Sequence, residues 1–167
     1  DAITTGDYNT GVGYNALTAA TSSTNNTAFG ANALSAIGTS TLNGGYNTAI
    51  GAHAGDVITT GSKNLIIGDD ADPSSASASN QIVLGYSATG KGDNTVTLGN
   101  EGVTAVYAAE DGDAVIYAGG LNLDGVTISA NATELSYVDG VTSAIQTQLD
   151  GKQDALTAGS GITISSG

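Results

Sequence analysis

His53 is the single histidine of a chain that contains no cysteine, so a charge relay or a zinc site would have to be assembled around it. One imidazole without a thiolate gives one chain too few ligands for zinc. Three copies meeting on an axis could share an ion, but a lone His is most simply an exposed side chain. Asp69, Asp70 and Asp72 form the densest acidic cluster and offer the oxygen atoms that calcium takes. They lack both the Gly-Gly-x-Gly-x-Asp spacing of calcium-binding β-rolls and the EF-hand pattern, and read as a solvated turn. Asp111 and Asp113 read the same way. Carboxylates are numerous enough for a glycosidase pair, yet nothing in their order sets two of them across a cleft. No catalytic residue, metal ligand or cofactor is assigned, and the chain is not expected to be an enzyme. The remaining candidates are Tyr8, Tyr14, Tyr46 and Tyr86, whose aromatic faces suit a glycan or protein receptor. Covering strand edges is the plainer role for them.

The composition limits the elements that can carry these residues. Among 167 residues there are 25 Gly, one Phe, one Pro, and no Trp, Met or Cys. Side chains bulky enough for a thick core are scarce. That leaves disorder, or an elongated fold that stacks small layers and buries its remaining apolar surface on sister chains. Sixteen acidic residues against three Lys and no Arg give a net charge of −13. This charge keeps an extended assembly soluble and repels polyphosphate and anionic headgroups, so neither nucleic acid nor membrane insertion is expected. No apolar run approaches the roughly 18 residues of a membrane helix. The chain begins at Asp1 without Met or a signal-like segment, as expected of a processed product or a piece of something longer.

Internal repetition decides between disorder and layers. Six segments read alike: Asn9 to Gly13, Asn26 to Gly30, Asn47 to Gly51, Asn64 to Gly68, Gln81 to Gly85 and Thr95 to Gly99. Their closing Gly residues recur at intervals of 17, 21, 17, 17 and 14. Residues two apart share a face of a strand. On that rule one column is Val12, Phe29, Ile50, Ile67, Leu84 and Leu98. Its same-face neighbour is Thr10, Thr27, Thr48, Leu65, Ile82 and Val96. Both columns are expected to face inward as core, and because Thr occupies one of them in the first three units, the amino-terminal end is expected to be the looser. Ala16, Ala33, Ala54, Ala71, Ala88 and Gly102 follow each Gly by three residues and suggest a site where backbones approach closely. The Gly itself serves as a corner, with positive φ or no room for a Cβ. Stacked strand, corner, short segment and turn make an all-β roll or helix of about six rungs over residues 1–102. The insertions Thr18 to Thr24 and Ala36 to Gly45 read as surface loops. A rung this small needs lateral burial, so two identical partner chains are expected around a threefold axis.

Beyond Gly102 the repeat stops. Residues 103–130 read as a β connector: strands over Val103 to Ala109 and Ala114 to Ala118 around the turn Glu110 to Asp113, then Leu121 to Leu123 and Val126 to Ser129. Over residues 131–153, Leu135, Val138, Thr142, Ile145 and Leu149 alternate at three and four, the seam of a short trimeric coiled coil. Asn131 and Glu134 suit its capping box, and Asp139-Gly140 interrupts it. Residues 154–167 read as the start of a further β module that continues past the last residue.

Two resemblances follow from these residues. Asn80-Gln81-Ile82-Val83-Leu84-Gly85-Tyr86-Ser87-Ala88-Thr89-Gly90 resembles the head repeat of trimeric autotransporter adhesins, which implies a left-handed β-roll in a three-chain assembly. The run from Leu123 to Asp150, including Leu123-Asp124-Gly125-Val126-Thr127 and Ala132-Thr133-Glu134-Leu135, is similar to a linker of bacteriophage tail fibres, especially those of cyanobacteria. Together they imply a homotrimeric virion fibre that reaches and recognises a host surface, through a glycan or protein receptor whose site they do not locate. A bacterial surface adhesin or extracellular filament subunit is the alternative. An ice-binding solenoid is disfavoured because Thr10, Thr27 and Thr48 are expected on the buried face and the array ends at Leu65. A polysaccharide depolymerase would require a carboxylate-lined groove and more aromatic residues.

Overall fold

The computed structural model describes residues 6–38, 44–109, 121–123, 126–128, 133–134, 137, 141 and 144–154. The chain forms two compact units, Asp1–Gly112 and Asp113–Gly167. The first is a parallel β-solenoid of about five turns. Its strands are β1 (Thr10–Val12), β2 (Thr27–Phe29), β3 (Thr48–Ile50), β4 (Leu65–Ile67), β5 (Ile82–Leu84) and β6 (Val96–Leu98), stacked in chain order as one sheet. Their register follows the repeat: Thr10 pairs with Thr27, Thr27 with Thr48, Thr48 with Leu65, Leu65 with Ile82, and Ile82 with Val96.

The corner glycines explain the spacing. Gly13, Gly30, Gly51, Gly68 and Gly85 have φ between 135° and 144°. A Cβ on any of the first four would run into the carbonyl oxygen of the corner glycine one rung on. Both expectations for this column, positive φ and absence of space, are met together. Past the corner a second ladder forms, with the amides of Asn32, His53, Asp70 and Ser87 donating to the carbonyls of Tyr14, Ala31, Ala52 and Asp69 at 2.7–2.9 Å. Beyond that, Ala33, Ala54, Ala71 and Ala88 are fully buried, as a crowded column requires. The two ends of that column differ: Ala16 is half-buried and Gly102 is exposed.

The inner columns are the reverse of the expectation. Each strand has three residues, and only the middle one points inside: Ala28, Ala49, Ile66 and Val83 are fully buried. Val12, Phe29, Ile50 and Leu98 stand 41–58% exposed, Val96 61%, and Ile67, Leu84, Leu65 and Ile82 are half-buried. Thr10 and Thr27 are exposed and Thr48 is half-buried. The two columns do share a face, but it is the outer one. The physical reason lies on the far wall, where Leu17, Leu34, Ile37 and Ile58 fill the interior. Little width is left for the strand side. Where the far wall is bulky the strand residue is small, as Gly11 packs against Leu17; where the far wall narrows to Gly55, Ile66 from the next rung reaches towards it.

One further expectation changes with this. Ala20, Ser23, Ile37, Gly38, Gly44 and Gly45 are buried, so the insertions are partly core rather than surface loop. At the amino-terminal end Thr10–Val12 are exposed in the first rung, while Leu17, Leu34 and Ile37 fill the interior.

Residues 103–109 form no strand, in contrast to the expected Val103 to Ala109 segment. Ala114 to Ala118 and the turn before it lie outside the described residues. In the second unit β7 (Leu121–Leu123) and β8 (Val126–Ile128) pair antiparallel, Leu121 opposite Ile128. The helix α1 spans Ile145–Asp154. Val141 and Ala144 are not helical, next to the expected Asp139-Gly140 interruption of the segment 131–153 and beside the β-branched pair Val141-Thr142. Asn131, Leu135, Val138 and Thr142 lie outside the described residues, while Ile145 and Leu149 are 58% and 56% exposed on α1. Among the described residues no helix is long and apolar enough to cross a membrane.

Candidate functional site

The solenoid places its polar side chains in columns, because each rung repeats the backbone of the last. The deepest such column was legible as the first residue of each repeat, but its role was not: Asn9, Asn26, Asn47, Asn64 and Gln81 line the interior beside the sheet. Asn47 shows the unit. Its Oδ1 accepts from the Asn64 amide at 3.1 Å and from Asn64 Nδ2 at 2.9 Å, while its own Nδ2 donates to Asn26 Oδ1 at 3.1 Å and to the Gly61 carbonyl at 2.9 Å. Asn26 Oδ1 likewise accepts from the Asn47 amide and side chain while its Nδ2 donates to Asn9 Oδ1, and Asn64 Nδ2 donates also to the Ala78 carbonyl. Gln81 ends the column by donating its amide to Asn64 Oδ1 and bonding to Ser74 and Asp93 through its side chain. A buried carboxamide satisfied at both ends in this way clamps successive rungs together. This is a structural spine, sealed from ligands.

The residue before each Asn adopts left-handed backbone, with Tyr8, Asn25, Tyr46, Lys63, Asn80 and Asn94 at φ 56–61°. Tyr8 and Tyr46 are thereby turned outward, 84% and 63% exposed. Tyr14 and Tyr86 occupy a different column, the one immediately after the corner, and are 76% and 70% exposed. The four candidate tyrosines thus fall into two pairs on separate columns.

His53 lies in the left-handed column two residues past the corner, with Asn15, Asn32, Asp70 and Ser87 at φ 47–58°. Its Nδ1 meets Asp56 Oδ2 at 2.8 Å and its Nε2 meets Asn32 Nδ2 at 3.1 Å. The Asp56 hydrogen bond and charge raise its pKa above the ordinary imidazole value, with Asp70 and Asp69 adding to the effect. The stabilisation attached to the imidazolium is therefore present below pH 6.5 and lost as pH rises through the raised value. No nucleophile is bonded to His53 in the described contacts, and the imidazole is held as part of a surface ladder.

The acidic cluster is split by the fold. Asp69 and Asp70 are exposed, whereas Asp72 sits half-buried in the far-wall column below Gly55, with Oδ1 sealed and without a hydrogen-bond partner. Burial first, and then the charge of Asp56, push its pKa up to about 6, against the Val57 amide that lowers it. Among the described residues no group of three or more His, Cys, Asp or Glu is placed to hold a metal ion. Asp111 and Asp113 lie outside the described residues. A polar cavity of about 490 Å³ opens beside the last rung, lined by Ser87, Thr89, Lys91, Asn100 and Glu101 among others. Asn100 is already committed there, donating to the Tyr86 carbonyl at 2.9 Å and accepting from the Gly102 amide at 2.9 Å. It caps the second ladder at the fifth rung, standing in for the backbone amide of the sixth.

No family model matches the chain, and neither the curated proteins nor the solved structures give a match. Function is therefore argued from the geometry.

Proposed function

We propose that this chain is a structural and host-recognition segment of a homotrimeric phage tail fibre, its left-handed solenoid joined through the β connector to a short coiled coil. The observation that carries the reading is the outer face of the parallel sheet. Phe29, Ile50, Val96 and Leu98 stand in two outward columns although the chain has few large apolar residues to spend. A contiguous apolar face is the mark of a surface that is covered in the working assembly. Identical chains are the simplest cover, since the columns run the length of the solenoid and three copies present three equal faces to one axis. The exposed Ile145 and Leu149 of α1 call for the same partners. Virion localisation rests on the tail-fibre resemblance of residues 123–150.

The net charge of −13 per chain supports an extracellular, soluble particle surface and argues against nucleic-acid contacts. A bacterial surface adhesin is the second reading, favoured by the likeness of Asn80 to Gly90 to adhesin head repeats. Light scattering tests the assembly: three times the chain mass is expected, and a stable monomer overturns it. Neighbouring genes for capsid and baseplate components, against an outer-membrane anchor, separate the two readings. Release of new reducing ends from host polysaccharide would show an enzyme instead.

A further inference from the structure

Tyr14 and Tyr86 face solvent on the same column, in the first and fifth rungs. Between them the column is held by Ala31, Ala52 and Asp69, so two aromatic side chains bracket a floor of two alanines and one exposed carboxylate. Four rung steps put the tyrosines roughly 19 Å apart. Alongside runs the polar column: Asn15 Nδ2 donates to Asn32 Oδ1 at 3.3 Å, and Asn32 meets His53 at 3.1 Å, all at the surface. Asp70 and Ser87 continue it. The backbone groups beneath are consumed by the second ladder, so a peptide has no strand edge here to pair with. A ligand must be read by side chains: ring faces at the ends and alternating donors and acceptors along one flank.

That chemistry matches a sugar chain, which offers apolar ring faces and rows of hydroxyls. Asp69 and Asp70 within the strip, on a chain of net charge −13, repel acidic sugars. The strip is also separated by the glycine corner from the apolar columns assigned to sister chains. We propose that it binds a neutral, extended glycan, stacked at its two ends on Tyr14 and Tyr86 and hydrogen-bonded along its length by Asn15, Asn32 and Asp70, with His53, whose ring nitrogens are taken by Asp56 and Asn32, holding Asn32 in place. An extended glycan advances by about one rung spacing per sugar, so a chain stacked on both tyrosines spans about five units. The inference rests on the receptor-binding reading above and gives it a place and a ligand class.

The full chain is titrated with cello- and manno-oligosaccharides of increasing length, followed by saturation-transfer NMR and calorimetry, with mass measured on the same samples. Affinity for at least one series rises to about five units and then levels off. Tyr14→Ala and Tyr86→Ala each weaken the longest probe by about ten-fold, while Lys63→Ala, on the other column, leaves it unchanged. Ala31→Leu raises the floor and weakens binding with both rings intact, which separates loss of contact from loss of fold. Absence of binding in both series, affinity independent of length, or Tyr14 and Tyr86 variants that bind like the parent overturns the proposal. So does displacement of the sugar by an extended neutral peptide. A trimer that fails to bind sinks the strip alone; a monomer sinks the fibre reading.

Discussion

Ala49 and Ile50 are adjacent in β3, and the smaller of them is sealed in the interior while the larger stands 41% exposed on the outer face. The same inversion joins Ala28 to Phe29. A fold that places its bulk outside has two separate hydrophobic surfaces, one closed by its own far wall and one open to solvent. Mutations should tell them apart. Ile50→Lys is expected to yield a folded solenoid of single-chain mass, whereas Ile66→Ala removes interior packing and costs about 3 kcal/mol of stability. Scattering and urea unfolding on both variants check this; a trimeric Ile50→Lys protein would disprove the assignment of the outer face.

The asparagine spine makes a prediction about polar burial. Asn47→Ala strips partners from Asn26 Oδ1, the Asn64 amide and side chain, and the Gly61 carbonyl, all inside. The loss should be about 3 kcal/mol, against about 1 kcal/mol for Asn9→Ala at the more open first rung. Chemical denaturation of the two variants side by side reads the difference, and equal losses would mean that the ladder does not clamp the rungs.

Steric and conformational demands at glycine can be separated. Gly51→Ala meets both an unfavourable φ of 135° and the Gly68 carbonyl, while Gly92→Ala meets a φ of 147° with open space around it. Expected costs are upwards of ~3 kcal/mol for the first and about 1–2 kcal/mol for the second. Thermal melts decide; if Gly92→Ala is the more damaging, stacking distance is not what fixes the corner.

Asp72 should make the solenoid sensitive to pH. Its pKa is raised from 3.8 to about 6, so the fold disfavours the ionised form. Its contribution is intact below pH 3.8 and is lost as pH climbs through about 6. Half-exposure and solvent screening reduce the effect to ~1 kcal/mol. Asp72→Asn is expected to match the parent near pH 4 and to unfold at a higher temperature near neutrality. Parallel stability curves for the two proteins across that range would show that Asp72 is not strained by its burial.

The sequence by itself determined the stacking. Repeated Asn, Gly and Ala positions gave the rung boundaries and the register, because a residue that must leave room for the next layer has to recur at the same place in every layer. It also showed that Val12, Phe29 and Ile50 share a face with Thr10, Thr27 and Thr48. Which face is closed could not be read from the repeat. Alternation in a three-residue strand offers either the two flanks or the single middle residue as interior, and the strand alone does not choose. The choice is made by Leu17, Leu34, Ile37 and Ile58, which arrive from beyond the corner or from within the insertions and occupy the space that the flanking residues would need. The repeat likewise put Tyr14 and Tyr86 on one column and Asn32 and His53 on another, and the fold decided that both columns face outward. Contacts between rungs depend on how far the chain travels before it returns, and only the closed turn fixes that distance.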